Sequence, residues 1–324
     1  MNISPKNTSP IFNYAELFQK ALLTADIKIL KTIPKSDLHN HAPLGSRLND
    51  LENTIGKKIN PPPASLKDIA ELDSYIFSNL RKHIVSLKGL ETTLRLAFRQ
   101  AKGDGIKKLE MSIDCFFVPF FNDKEAGFIK LLQKIHQEEA ADIQYNPEIG
   151  FSRNIKIEDA ERLILPCIES AYFKSIDLYG DELFRDAKYY KPIYKVAKNY
   201  GLKLKSHAGE FGDAESVRYT VETLELDEVQ HGIAASTSQD VMKWLRNNNI
   251  RLNICPTSNI ILGRAESLNT HPARILADEG INITINSDDI MIFNQSVSEE
   301  FLNLYQAKLF SVNELNILRE NSIK

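Results

Sequence analysis

The chain has 324 residues, 43% of them hydrophobic and 26% charged, the composition of a folded protein rather than a disordered one. Forty Lys and Arg against 43 Asp and Glu leave a formal charge of -3, too little basic excess for an extended nucleic-acid partner. No stretch approaches the roughly 18 uninterrupted apolar residues of a spanning helix. The start, Met1 to Phe12, lacks the basic-then-apolar order of a signal peptide, so the expected location is cytoplasmic, with no membrane partner. Cys115, Cys167 and Cys255 are odd in number and far apart, which excludes a disulfide framework and a Cys-x-x-Cys zinc or redox motif. Any metal must then be held mainly by His and carboxylates.

In chain order, short apolar or β-branched runs alternate with longer segments whose apolar residues recur at helical spacing. Strands are expected near Ser36–His41, Lys108–Cys115, Gln144–Phe151, Ser175–Tyr179, Lys203–His207, Glu228–His231, Arg251–Cys255 and Asn282–Asn286. Helices are expected between them at Ser65–Lys82, Leu90–Ala101, Lys124–Ala141, Ile157–Ala171, Tyr189–Tyr200, Ala214–Thr223, Ser238–Asn247 and Ala273–Asp278. In the third, Phe128, Leu131, Leu132 and Ile135 form the buried face. Strand then helix, eight times, is the pattern of an α/β protein with a (β/α)8 TIM barrel, whose active site lies at the C-terminal ends of the strands. Tyr14–Ile33 reads as an extra N-terminal helix over the barrel floor and Ser298–Asn321 as closing helices, making one domain over 1–324 with its core at about 34–293. Oligomeric state is not readable.

Polar residues without a surface role fall at those strand ends. The first strand finishes in Asp37-Leu38-His39-Asn40-His41, and two histidines at i and i+2 on a strand share a face. The fifth ends in Ser206-His207-Ala208-Gly209-Glu210, the sixth in Gln230-His231-Gly232 and the eighth in Asn286-Ser287-Asp288-Asp289. An acidic pair in a dry barrel mouth needs a cation or a proton to compensate it. Three imidazoles and one carboxylate suit zinc, and the chosen ligands are His39, His41, His207 and Asp288. His231 is left to position or deprotonate the water that zinc activates, and Glu210 to donate a proton on the substrate side. His83 and His136 read as surface or packing residues, His271 as a local hydrogen-bonder and Cys255 as a packed thiol.

Pro34-Lys35-Ser36-Asp37-Leu38-His39-Asn40-His41, Ser206-His207-Ala208-Gly209-Glu210, Cys255-Pro256-Thr257-Ser258-Asn259 and Asn286-Ser287-Asp288-Asp289 together resemble the successive signatures of the adenosine deaminase family of metal-dependent amidohydrolases. Ser175 to Glu182 resembles that family's fourth-strand segment. The resemblance implies one zinc per chain and hydrolytic removal of an exocyclic amine from an adenine-containing small molecule: an adenosine-like nucleoside, adenine, or a modified nucleoside or nucleotide. It also implies that Glu210 protonates a ring nitrogen, that His231 and Asp288 align the attacking water, and that the Gly180 N–H and the Asp289 side chain hold the other ring nitrogens. Asp289 must then carry a proton itself. His136-Gln137-Glu138 is not followed by Pro-Cys-x-x-Cys, which excludes the cytidine deaminase type of zinc site.

One departure bears on the substrate. Members acting on adenosine carry an Asp that reaches the sugar shortly after His-x-His, and here Pro43 stands in its place. Arg47, Lys57, Lys58 and Arg264 are surface charges in the first instance, with an anionic substrate group as their alternative partner. Ser65–Leu80 resembles in position the family's helical lid, and equally an amphipathic helix packed on the barrel. The alternative functions are hydrolysis of a non-purine substrate by the same activated water, and a catalytically silent nucleoside-binding barrel.

Overall fold

The computed structural model describes residues 13–324, so the reading of Met1 to Phe12 lies outside the described residues. Eight strands form one parallel sheet in sequential order: β1 (Lys35–His41), β2 (Ile106–Asp114), β3 (Gln144–Ser152), β4 (Ser175–Tyr179), β5 (Lys203–Ala208), β6 (Glu228–His231), β7 (Arg251–Ile254) and β8 (Ile283–Ile285). The expected (β/α)8 barrel is the fold found. The ring closes between β8 and β1 largely through side chains. Asp288 N–H donates to His39 O (2.9 Å), Leu38 N–H to Asn286 Oδ1 (2.8 Å), and the Asp37 carboxylate accepts from both the N–H and the hydroxyl of Ser287.

Alternation along each strand decides what faces where. Leu109, Met111 and Ile113 of β2, Ile149 and Phe151 of β3, and Ile176 and Leu178 of β4 are buried in the main apolar core with the helices, as the two-residue period of a strand requires. The intervening positions are polar or, at Gly150, glycine. Lys205 is fully buried, with Nζ bonded to Glu110 and Glu148 (2.8 Å for the latter) and 3.7 Å from Glu228. Burial works against its charge, but these carboxylates outweigh burial and hold the ammonium well above its ordinary pKa. His207 is two residues further along the same strand, so this ion cluster supports the mouth of the barrel one layer below it.

Helices fill the outer layer. In Lys124–Ala140, Phe128, Leu132 and Ile135 are buried, and Leu131 packs half-buried against the same core. The N-terminal segment forms two helices, Tyr14–Leu23 and Ile27–Leu30, because Asp26 caps a new start by accepting from Lys28 and Ile29 N–H. They pack on the closing helices Val297–Gln306 and Val312–Ile323, with Phe18 edge-on to Phe301 at 5.3 Å. The segment expected as one helix over 65–82 begins later, at Ile69, and continues through a π-turn at Ile76–Leu80 into Arg81–Ile84. Two further short helices, Leu48–Ile55 and Pro256–Ile261, follow β1 and β7. Among the described residues no helix is long and apolar enough to cross a membrane.

Candidate active site

His39 and His41 project from the same face of β1, and β5 brings His207 to meet them. The Nε2 atoms of His39 and His207 are 3.1 Å apart. From the end of β8, Asp288 Oδ1 lies 3.5 Å from His41 Nε2 and 3.8 Å from His39 Nε2. From β6, His231 Nε2 is 3.8 Å from Asp288 Oδ2. His231 and Asp288 both adopt left-handed backbone (φ 65° and 56°), a conformation that costs a side-chain-bearing residue of order 1–3 kcal/mol and concentrates at functional sites.

The other ring nitrogens show what the Nε2 atoms are for. His207 Nδ1 bonds the fully buried Asp177 carboxylate at 3.2 Å, and His39 Nδ1 lies 3.2 Å from the carbonyl of Asn253. Both partners only accept, so each Nδ1 carries the proton and two Nε2 lone pairs confront each other at 3.1 Å. An ion that accepts two imidazole nitrogens resolves that conflict, so the donor set fits a metal. Burial holds His39 at a pKa of about 3 and His41 at about 4, which keeps both rings neutral as ligands must be. For His207 burial pulls the same way, but Asp177 outweighs it and raises the ring's pKa. His39, His41 and His207 have ligand atoms within 4.8 Å of one another, as do His41, Asp288 and Asp289. Cys255 Sγ sits 3.3 Å from His39 Nδ1, but burial pushes its thiol well up, and it packs as a protonated side chain.

Glu210 follows β5 by one turn. The turn needs Gly209, whose φ is +67° and whose Cβ, if present, would overlap Val217. One residue to which the sequence reading gave no role fixes this turn. Glu182, just past β4, accepts from the N–H groups of Gly209 (2.6 Å), Phe211 and Gly212 (2.7 Å), bracketing Glu210 on both sides. Glu210 is buried, with Oε1 unpartnered and 3.5 Å from His231 Nε2. Burial, then the charges of Asp288 and Glu182, raise its pKa well above its ordinary value, which favours the protonated carboxyl. His231 Nδ1 is 3.1 Å from Asn259 Nδ2. With the amide donating, the ring proton lies on Nε2 and faces Asp288 and Glu210. A turned amide would move that proton to Nδ1 and leave Nε2 basic.

These groups open into a cavity of about 450 Å³. Gly180 and Asp289 line it with His41, His207, Glu210, His231 and Asp288, so it contains every expected site residue except His39, which lies beneath. Gly180 has φ +89°, and its N–H donates to no other described residue. Asp289 Oδ1 is buried without a partner, and burial, then Asp288 and Asp73, raise its pKa well above the ordinary value. The helix at Ile69–Tyr75 covers the opening with Ile69, Leu72 and Asp73, followed by Ile76 and Phe77 of the π-turn, which is the lid position. Neither Arg47, Lys57, Lys58 nor Arg264 lines the cavity. Arg47 pairs with Glu299, Lys58 with Glu52, and Arg264 lies over the Phe211 ring. The cation that does line it among the described residues, Arg81, carried no motif to mark it. His271 accepts from Ala273 N–H, and His136 packs against Phe98 and Tyr145.

Residues 158–324 match the model of a family described as adenosine deaminase. A candidate adenosine/adenine deaminase of Treponema pallidum (strain Nichols) is 30% identical over 285 residues, covering 88% of this chain and 95% of that protein. The fold is shared with an adenine deaminase from Arthrobacter aurescens (TM-score 0.77, 22% identity, 90% of this chain and 92% of that one). It is shared as well with an Arabidopsis N6-methyl-AMP deaminase (0.75, 18%, 91% and 93%) and with an amidohydrolase from Burkholderia ambifaria containing bound zinc (0.70, 19%, 99% and 90%). With a family model over half of its length and a relative matched along most of it, this chain belongs to the adenosine deaminase family and is a hydrolytic deaminase acting on C–N bonds.

Proposed function

We propose that the cavity carries out zinc-assisted hydrolytic deamination of an adenine-type ring, within an adenosine-like nucleoside, adenine, or a modified nucleoside or nucleotide. The observation that carries this reading is the convergence of the buried Glu210 carboxyl, whose surroundings favour its protonated form, with the free N–H of Gly180 and the unpartnered carboxyl of Asp289 in one cavity. A purine ring offers several nitrogen acceptors, and these are donors placed around a single opening.

His39, His41, His207 and Asp288 would hold the zinc, which supplies a Lewis acid able to bring the pKa of a water to about 7. The chain's own residues do the rest. The Gly180 N–H and the Asp289 carboxyl orient the ring, leaving the ring nitrogen beside the amine-bearing carbon for Glu210. As that nitrogen takes the Glu210 proton, the neighbouring carbon becomes electrophilic and water adds to it. His231 sits beside Asp288 on the water's side, placed either to donate from Nε2 or to accept a proton there. The amine takes up one proton of the added water, the C–N bond breaks and ammonia leaves; the other water proton returns to the Glu210 carboxylate, and oxygen remains in the amine's place. Burial of Glu210 and Asp289 raises both pKa values and so favours their protonated forms.

Metal removal is the test. Chelator-treated protein should release no ammonia from adenine, adenosine or AMP, and zinc should restore release. Undiminished release after the metal has been stripped would refute the reading.

A further inference from the structure

Pro43, which takes the position of the family's sugar-contacting acid, lines the cavity in the turn Ala42–Leu44 and has no side-chain acceptor to offer. A different acid faces the same space. Asp73 sits on the lid helix between Leu72 and Tyr75, both with buried side chains that anchor the helix, and it lines the cavity itself. Among the described residues the Asp73 carboxylate makes no hydrogen bond and no ion pair, unlike that of Asp114, the other carboxylate of the outer cavity, which accepts from Tyr179 and from Phe116 N–H. The charges that act on Asp73, those of Asp181 and Asp289, are both negative. A lone carboxylate is an acceptor that needs a donor, and here it has none from the protein.

The walls around it select against charge. Ile69, Ile76, Phe77 and Val85 are apolar, and the one guanidinium lining the cavity among the described residues, Arg81, is exposed at its edge over the Phe77 ring (5.1 Å). A phosphate brought here would meet Asp73 and Asp114 against that single cation. A free base would leave Asp73 without a partner.

We propose that Asp73 recognises the part of the substrate beyond the purine by accepting a hydrogen bond from a hydroxyl. The preferred substrate is therefore an uncharged, hydroxyl-bearing purine nucleoside rather than the free base or the nucleotide. This rests on the deaminase reading above. It replaces a sugar contact made from the end of β1 by one made from the lid, so recognition of the hydroxyl and closure of the cavity become one event.

The test measures kcat/KM of the zinc-loaded enzyme for adenine, AMP, adenosine and the 2'-, 3'- and 5'-deoxyadenosines, with wild type and Asp73→Ala. Wild type should favour adenosine over both adenine and AMP. One deoxynucleoside should lose about 10- to 100-fold against adenosine, the value of a hydrogen bond to a charged group. In Asp73→Ala that penalty should vanish, adenosine falling to the level of the matching deoxynucleoside. Asp73 is exposed, so an unaltered melting temperature confirms that the variant folds. A penalty that persists in Asp73→Ala overturns the proposal, as does a wild-type preference for AMP or adenine, and either result leaves the deaminase reading standing. Absence of ammonia from every substrate overturns both.

Discussion

Replacing Glu182 tests whether Glu210 is held by its own backbone or by a neighbour. The Glu182 carboxylate takes three backbone N–H groups, from Gly209, Phe211 and Gly212, and Glu210 lies between the first two. Hydrogen bonds to a charged group contribute about 1.5–3 kcal/mol each, and three sharing one carboxylate on a partly buried turn do not add fully. For Glu182→Ala a loss of about 3 kcal/mol in stability follows, since water can reach part of the turn. The larger effect is positional. A displacement of about 1 Å at a reacting group costs about 100-fold in rate, so kcat should fall by about that factor while KM moves less. In Glu182→Gln one oxygen still accepts but the amide NH2 confronts a donor, and an intermediate fall of about 10-fold is expected. None of the four proposed metal ligands is hydrogen-bonded to the Glu182 carboxylate, so metal content should stay at the wild-type level. Steady-state ammonia release, metal analysis and a thermal melt on the same preparations make the measurement. A destabilised Glu182→Ala protein that keeps the wild-type kcat would refute the reasoning, showing that the turn holds Glu210 unaided.

Asp177→Asn keeps a group able to accept from His207 Nδ1 but removes its charge, and zinc affinity should weaken by about 10- to 100-fold in chelator competition; unchanged affinity would contradict the role given to Asp177. Because the role proposed for Glu210 requires its protonated form and its pKa is raised, activity should persist at neutral pH and decline as pH rises through that pKa. A pH–rate profile that instead falls on the acid side near the ordinary carboxylate range would assign the proton donor elsewhere. Burial raises Glu300 from 4.5 to about 8. Between those values the folded state keeps a proton that the unfolded state releases, so this residue's contribution to stability is full below about 4.5 and lost as pH climbs toward 8. Melting curves of Glu300→Gln should show a shallower decline over that range than wild type, and parallel declines would contradict the assignment.

The barrel was legible because its strands are polar toward the lumen and apolar toward the helices, as in Leu109-Glu110-Met111-Ser112-Ile113, an alternation that a parallel strand buried on both faces would ordinarily blur. The break in the N-terminal segment was harder to see. It rests on Ala25 at φ 52° and on Asp26 as a cap, and only the cap has a sequence signal. Pro256 at the first position of Pro256–Ile261 is an N-terminal helix signal that was absorbed into a motif instead. The histidines and the acidic pair stood out because each lies near or just past the C-terminal end of a strand. Asp177, Glu182, Asn259 and Asp73 did not, since each acts on a residue far away in sequence: His207, the Gly209–Gly212 turn, His231 and the cavity. Asp177, Glu182 and Asn259 lay within quoted motifs, and the inward position of Asp177, two residues before Tyr179 on β4, was the available clue.

Ammonia release by wild type and Glu210→Gln, both loaded with zinc, measures the central claim most directly. Glu210→Gln keeps the size of the side chain and removes the transferable proton, so zinc content should match wild type while kcat/KM on the best aminopurine falls by about 10²- to 10⁴-fold. A Glu210→Gln enzyme that releases ammonia at the wild-type rate would show that the buried carboxyl at the end of β5 is not the proton donor.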